Sequence, residues 1–201
     1  MITCILGNDV IWNLPNILTW LRILAIPGVI VLFYCGDREP LRWFDPAAGL
    51  LFAVAAITDS LDGYLARRLG QTTPLGAFLD PVADKLIVTV ALVLIVSRDP
   101  RWFMVLAAIV IVGREIAVSA LREWMAELGE RARVSVSSLG KYKTILQMVG
   151  LSLLLFRQDL FGLPTYRFGA RLLAIAAVLT LVSMFAYLRA AAPVLLRRPS
   201  A

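Results

Sequence analysis

Histidine is absent from this chain. That removes the commonest general base at neutral pH and the commonest transition-metal ligand. Any metal site must then be built from oxygen, which favours Mg²⁺, Mn²⁺ or Ca²⁺ over zinc. Cysteine is nearly absent too. Cys4 and Cys35 flank the first apolar helix, which at 1.5 Å per residue separates them by roughly 30 Å. A disulfide tolerates a Cα separation of about 7 Å, so these two are not expected to pair. Charge is scarce: 17% of the 201 residues are charged and 60% are hydrophobic, with a mean hydropathy of +0.80. An ordinary soluble domain does not carry that much apolar surface. No internal repeat, low-complexity tract or nucleic-acid-binding pattern is found, and the N-terminus lacks the basic stretch of a cleaved secretory signal. What remains is an all-α, polytopic membrane protein. It reads as one domain over residues 1–201, with an N-terminal segment (1–12) and a frayed tail (193–201). The net charge of +6 then points to anionic lipid or phosphate partners, not to nucleic acid.

Apolar runs and breakers predict six transmembrane helices. The first opens at 13–16 and runs to about 34. The others cover about 47–68, 76–97, 102–127, 139–156 and 167–191. Polar connectors lie between them, including 36–46 with Pro40 and Pro46, and a basic, Ser-rich loop at 129–138. The uninterrupted apolar runs 86–96 and 102–112 are only about half of the roughly 20 residues a span requires. Each continues helically into a polar patch, so the reading is six spans whose ends stand apart around a wet, charged cavity. Lys and Arg are slightly in excess on the side holding Arg67, Arg122, Lys141, Arg189 and both termini, which makes that the cytoplasmic side. Trp12, Trp20, Trp43, Trp102 and Trp124 fall near span ends, as interfacial anchors do. Small residues in 47–56 and 174–177 permit close helix contact.

Four aspartates stand in this oily context. Asp59 and Asp62 are three apart near the end of the second helix, and Asp80 and Asp84 are four apart near the start of the third. Both spacings place a pair on one helical face, and the short loop between makes the helices antiparallel neighbours. Ionised carboxylates near lipid are costly, so such acids mark a functional site. Four together repel unless cations sit among them. Their convergence suits a pair of divalent cations about 3.5–4 Å apart. Gly63 and Ala66 leave room for a bulky ligand at the backbone, Arg67 offers a forked donor to pyrophosphate, and Pro81 is expected in the first turn of its helix. Arg114 interrupts an apolar run and must find a partner. Caps, ion pairs and helix packing are the alternatives for each residue taken singly.

The run D-x-x-D-G-x-x-A-R, eight residues, then G-x-x-x-D-x-x-x-D, from Asp59 to Asp84, resembles the signature of the CDP-alcohol phosphatidyltransferases without a gap. The segments 14–22, 113–116, 120–129 and 140–144 extend the resemblance over nearly the whole chain, toward the bacterial phosphatidylglycerophosphate synthases of that family. The resemblance implies transfer of a phosphatidyl group from CDP-diacylglycerol to sn-glycerol 3-phosphate, giving phosphatidylglycerophosphate and CMP, in phospholipid biosynthesis. It implies two divalent cations, Mg²⁺ or Mn²⁺, on Asp59, Asp62, Asp80 and Asp84, with Asp84 also the base for the glycerol hydroxyl. A cation-bound carboxylate is a poor base, so an acidified hydroxyl releasing its proton late to Asp84 stays open. Gly63, Arg67 and Thr73 would contact the cytidine–pyrophosphate, and Asn16 and Thr19 would border the donor head group. The acceptor's phosphate needs cations, for which Arg114, Arg122, Lys141 and Lys143 are the candidates. A homodimer in the bacterial cytoplasmic (inner) membrane, with the site facing the cytoplasm, is also implied. Cardiolipin or phosphatidylinositol phosphate synthesis within the family, and a divalent-cation transporter outside it, are the competing readings.

Overall fold

The computed structural model describes residues 14–38, 43–69, 74–127, 138–160 and 162–195. At 14–16, 38, 60–69, 74, 75, 77, 138–141, 190, 191 and 193–195 it describes backbone alone. Among these residues six helices follow one another: α1 (Leu14–Arg38), α2 (Phe44–Leu69), α3 (Pro74–Arg98), α4 (Trp102–Glu127), α5 (Ser138–Phe156) and α6 (Thr165–Leu195). Lipid offers no hydrogen bonds, so a segment this apolar satisfies its backbone by coiling on itself. A helix of 25 residues is about 38 Å long, enough to cross a hydrocarbon core of about 30 Å. α1, α4 and α6 contain stretches both long and apolar enough to span on composition alone. α2 and α3 are as long but carry the aspartates, and α5 has 19 residues. The protein is a multi-pass membrane protein.

Several expected boundaries move outward. α1 runs to Arg38, not 34, and α2 begins at Phe44, with Pro46 inside its first turn. Proline costs nothing there, because the N–H it lacks has no intrahelical partner. α3 likewise begins at Pro74, which corrects the placement of Pro81: it is interior, not in the first turn. It has no N–H to give to the carbonyl of residue 77, which loosens the helix just before Asp84.

Lipid-facing residues include Leu24, Val31, Ile57 and Phe185, while the core draws on all six helices. The core positions recur at helical spacing: Ala25, Val29 and Phe33 on α1, Ile87, Ala91 and Ile95 on α3, and Met104, Ala107 and Ile111 on α4. Lipid tails are as apolar as leucine, so burial gives these helices little reason to associate; close packing and polar contacts must do so. α5 and α6 form the most extensive pair, followed by α1 and α2, whereas α3 and α4 touch sparsely. The small residues expected to permit close approach do so in part. Ala48, Ala55, Ala176 and Ala177 are buried, but Ala174 is exposed.

At the end of the bundle away from the aspartates, Arg98 ties three helices. Its guanidinium pairs with Asp37 at the end of α1 (2.7 Å) and Asp45 at the start of α2 (2.6 Å), donates to the Phe33 carbonyl, and lies 3.6 Å over the Phe33 ring. These bonds explain why α1 continues past 34. Beside it, Arg101 binds Asp99 through Nε at 2.6 Å, and the Tyr166 hydroxyl donates to the same carboxylate. The hydrogen bonds from Arg101 and then Tyr166 hold Asp99 down at about 2. Its contribution to stability is therefore present above the usual carboxylate range and fades only as pH falls through that value.

Two glycines mark the tightest backbone approaches. A Cβ on Gly49 would lie 2.6 Å from the backbone of Phe156, and one on Gly169 would lie 2.9 Å from the Gly150 carbonyl oxygen. A Cβ on Gly113 would meet nothing within 4 Å. We expect Gly49→Ala and Gly169→Ala each to cost about 1–3 kcal/mol by overpacking, with Gly113→Ala neutral or stabilising. Melting of the detergent-solubilised variants checks this, and equal melting of all three would refute it.

Candidate active site

Every described site residue lies at one end of the bundle, because the chain alternates direction. The N-terminal halves of α1, α3 and α5 meet the C-terminal halves of α2, α4 and α6 there. Asp59 on α2 and Asp84 on α3 converge as the spacing predicts, and they converge on a third helix. Arg22 of α1 pairs with Asp59 through Nη2 at 2.7 Å and with Asp84 through Nη1. One turn away, the Thr19 hydroxyl donates to Asp80. Thr19 and Arg22 are three apart on one face of α1 and both are buried. Asp84 also feels the negative charge of Asp59 and Asp80, so the guanidinium offsets a real repulsion. Thr19 was expected to border the donor head group; its hydroxyl also donates to Asp80.

A cavity of about 260 Å³ opens beside these acids. Asp59, Asp84 and Lys85 line one wall; Arg114 and Arg122 of α4, Lys143 and Gln147 of α5 and Tyr187 of α6 line the other. Arg114 and Lys143 are buried, while Arg122 is exposed. Arg114 bonds to Glu115 at 3.0 Å and to Ser183 at 3.5 Å, and its guanidinium carbon lies 5.8 Å from the Tyr187 ring centre. The partner that Arg114 required is therefore its own chain neighbour and α6. Lys143 makes no ion pair among the described residues. A second recess of about 450 Å³ shares Lys85 and Arg122 with the first and adds Ser119 and Glu123. On the lipid side, a wholly apolar groove of about 630 Å³ runs between α3 and α4, and Thr89 and Val112 border both groove and cavity.

The side chains of Asn16, Asp62, Gly63, Arg67 and Lys141, and all of Thr73, lie outside the described residues. Gly76 is buried at the start of α3. Sequence reasoning missed Arg22, Lys85, Gln147, Ser183 and Tyr187. Arg22 carried a signal: a cation inside an apolar helix needs a partner. Gln147 lies four residues after Lys143, on the same face.

The donor set suits a hard divalent cation. Its atoms are carboxylate oxygens, and Asp59 and Asp84 already close on one positive centre. Among the described residues no three acids meet at one point; Asp80 is held by Thr19, and the Asp62 side chain is the fourth candidate.

The sequence pattern of the CDP-alcohol phosphatidyltransferase family matches residues 12–186. A Shigella flexneri serotype 5b (strain 8401) protein named CDP-diacylglycerol–glycerol-3-phosphate 3-phosphatidyltransferase is 49% identical over 180 residues, covering 90% of this chain and 95% of its own length. The protein of the same name from Escherichia coli (strain K12) matches with the same identity and coverage. With the pattern covering residues 12–186 and relatives 49% identical over 90% of the chain, the chain belongs to the CDP-alcohol phosphatidyltransferase family.

Proposed function

We propose that this protein transfers the phosphatidyl group of CDP-diacylglycerol to sn-glycerol 3-phosphate, releasing CMP and phosphatidylglycerophosphate. The observation that carries the reading is the opposition of charge across one cavity. Asp59 and Asp84, with Lys85 beside them, face Arg114, Arg122 and Lys143, with Glu115 paired to Arg114, over a space of about 260 Å³. A phosphorylated alcohol fits such a space in one sense only. Its phosphate is drawn to the cationic wall and repelled by the acids, which leaves its free hydroxyl toward Asp84.

In the reaction, the hydroxyl oxygen attacks the phosphorus that carries the diacylglycerol. The bond from that phosphorus to the oxygen it shares with CMP breaks, and CMP departs with the electron pair. Asp84 receives the hydroxyl proton; Arg22 holds its carboxylate in place, and Arg114 and Lys143 hold the acceptor so that its hydroxyl stays near that oxygen. Arg122 meets the acceptor at the mouth, and Lys141 extends the cationic wall. Gly63, Arg67 and Thr73 receive the cytidine–pyrophosphate. Asn16 borders the donor head group, and Thr19 orients Asp80. Two Mg²⁺ or Mn²⁺ held by Asp59, Asp62, Asp80 and Asp84 would neutralise the pyrophosphate and the departing CMP. The groove between α3 and α4 suits the donor's acyl chains, which stay in lipid while the head group reaches the acids. The site faces the cytoplasm, where a water-soluble acceptor is available.

Three outcomes are expected. Purified protein given CDP-diacylglycerol releases CMP with glycerol 3-phosphate and not with inositol phosphate or phosphatidylglycerol. Chelator stops this release and Mg²⁺ or Mn²⁺ restores it; release with another acceptor overturns the assignment. Arg114→Ala and Lys143→Ala each raise KM for glycerol 3-phosphate by about tenfold, the loss of one charge-assisted hydrogen bond, and leave KM for CDP-diacylglycerol nearly unchanged. An equal effect on both substrates makes these residues structural. Asp84→Asn binds CDP-diacylglycerol but loses turnover by about 10²–10⁴-fold, and full turnover in that variant ends its role as proton acceptor.

A further inference from the structure

The acids are supplied by α2 and α3, yet the guanidinium and the hydroxyl that bind them come from α1. Arg22 reaches Asp59 and Asp84, and Thr19 reaches Asp80. Arg22 is not among the residues that line the cavity. Its side chain is 1% exposed, against 33% for Asp59 and 41% for Asp84. The cation therefore sits behind the acids, on the protein side, and the acids stand between it and the cavity. Both ion pairs engage Oδ1, and the two carboxylates lie within hydrogen-bonding reach of each other. A guanidinium stays charged at any accessible pH, and its fork can satisfy two carboxylates at once.

We infer that Arg22 is a positioning residue and the resident counter-ion of the acid site: it holds Asp59 and Asp84 together from behind and, by its fixed charge, limits how tightly they bind divalent cations. This rests on the reading of the acids as a cation site. The physical reason is a balance. Without Arg22 the two carboxylates repel, and the helices bearing them separate unless a soluble cation replaces the guanidinium. With Arg22, an incoming cation meets acids already partly neutralised, so it binds less tightly. Weaker binding suits a site that must accept a charged pyrophosphate donor and release CMP in each cycle.

The test compares wild type, Arg22→Gln and Arg22→Lys in detergent, reading Mn²⁺ affinity by electron paramagnetic resonance and melting in chelator. Arg22→Gln is expected to bind Mn²⁺ about tenfold more tightly, as loss of a neighbouring like charge dictates, and to melt lower than wild type in chelator, with Mn²⁺ restoring most of the difference. Arg22→Lys keeps the charge but not the fork, so its Mn²⁺ affinity stays near wild type while its melting in chelator is lowered. Unchanged or weaker Mn²⁺ binding by Arg22→Gln overturns the inference. Should Arg22→Gln fail to fold in chelator, folding must return with Mn²⁺ or with Asp59→Asn added, since either relieves the repulsion; no recovery by either also overturns it. If wild type itself binds no Mn²⁺, the reading of the acids as a cation site falls. Mn²⁺ binding by wild type without tightening in Arg22→Gln removes only the role of Arg22.

Discussion

Negative charge in a bundle of apolar helices has to be balanced locally, because neither lipid nor a packed interior can solvate it. Arg22 does this at one end of the molecule and Arg98 at the other, by the same device. Each guanidinium rises from one helix and draws carboxylates from two places: Arg22 takes Asp59 of α2 and Asp84 of α3, and Arg98 takes Asp37 of α1 and Asp45 of α2. The two clusters fix the register of α1, α2 and α3 at both ends. Because apolar burial does little to associate helices in lipid, these fixed points and the close glycine contacts set the geometry on which the chemistry depends.

The rigidity is not uniform. Gly49 lets α2 lie against the backbone at the end of α5, and Gly150 and Gly169 bring α5 and α6 together. α3 and α4 touch sparsely, and there the apolar groove opens beside the charged cavity. A lipid-linked donor needs this combination: a firm set of acids and cations for its head group, and a lateral opening through which its tails never leave lipid. Pro81 removes the bond to the carbonyl of residue 77 and loosens α3 around Asp80, so the helix bordering acids, cavity and groove has an interrupted backbone ladder, as α1 does at Pro27.

Much of this was legible from residue order. Apolar runs and breakers located six helices, with α4 placed at its observed bounds and α5 within one residue at its start. The spacing of the aspartates implied that α2 and α3 bring acids together. What residue order leaves open is which helix answers a charge. Arg22 visibly needed a partner, but α2, α3, α4 or α5 would each have satisfied that need on composition. Arg114 was expected to seek a phosphate or a neighbouring acid, and its bonds go to Glu115 and, across the bundle, to Ser183. Thr19 read as a cap or a head-group contact, because nothing local reveals that residue 80 lies beside it. The outward drift of the helix ends has one local and one long-range cause: prolines tolerated in first turns, and the Phe33 carbonyl near the end of α1 met by Arg98 from α3.

The arrangement of charge also bears on how two substrates of the same sign share one site. CDP-diacylglycerol and a phosphorylated acceptor repel each other, so bringing them together requires separate positive centres. The structure separates them by helix. Arg114, Arg122 and Lys143 lie on α4 and α5, away from the acids of α2 and α3; Lys85, next to Asp84 at the boundary with the second recess, and Glu115, paired with Arg114 on α4, cross that division. Burial grades the cationic wall from exposed Arg122 inward to Arg114 and Lys143. Desolvation strengthens each attraction along that path. In the proposed function, a phosphate entering from the second recess would meet positive charge that strengthens with depth and would rest against α4 and α5 with its carbon chain toward α3. On that proposal the acids would not have to attract the acceptor; they would need only stand where its hydroxyl arrives, and Arg22, paired with Asp59 and Asp84, holds them there.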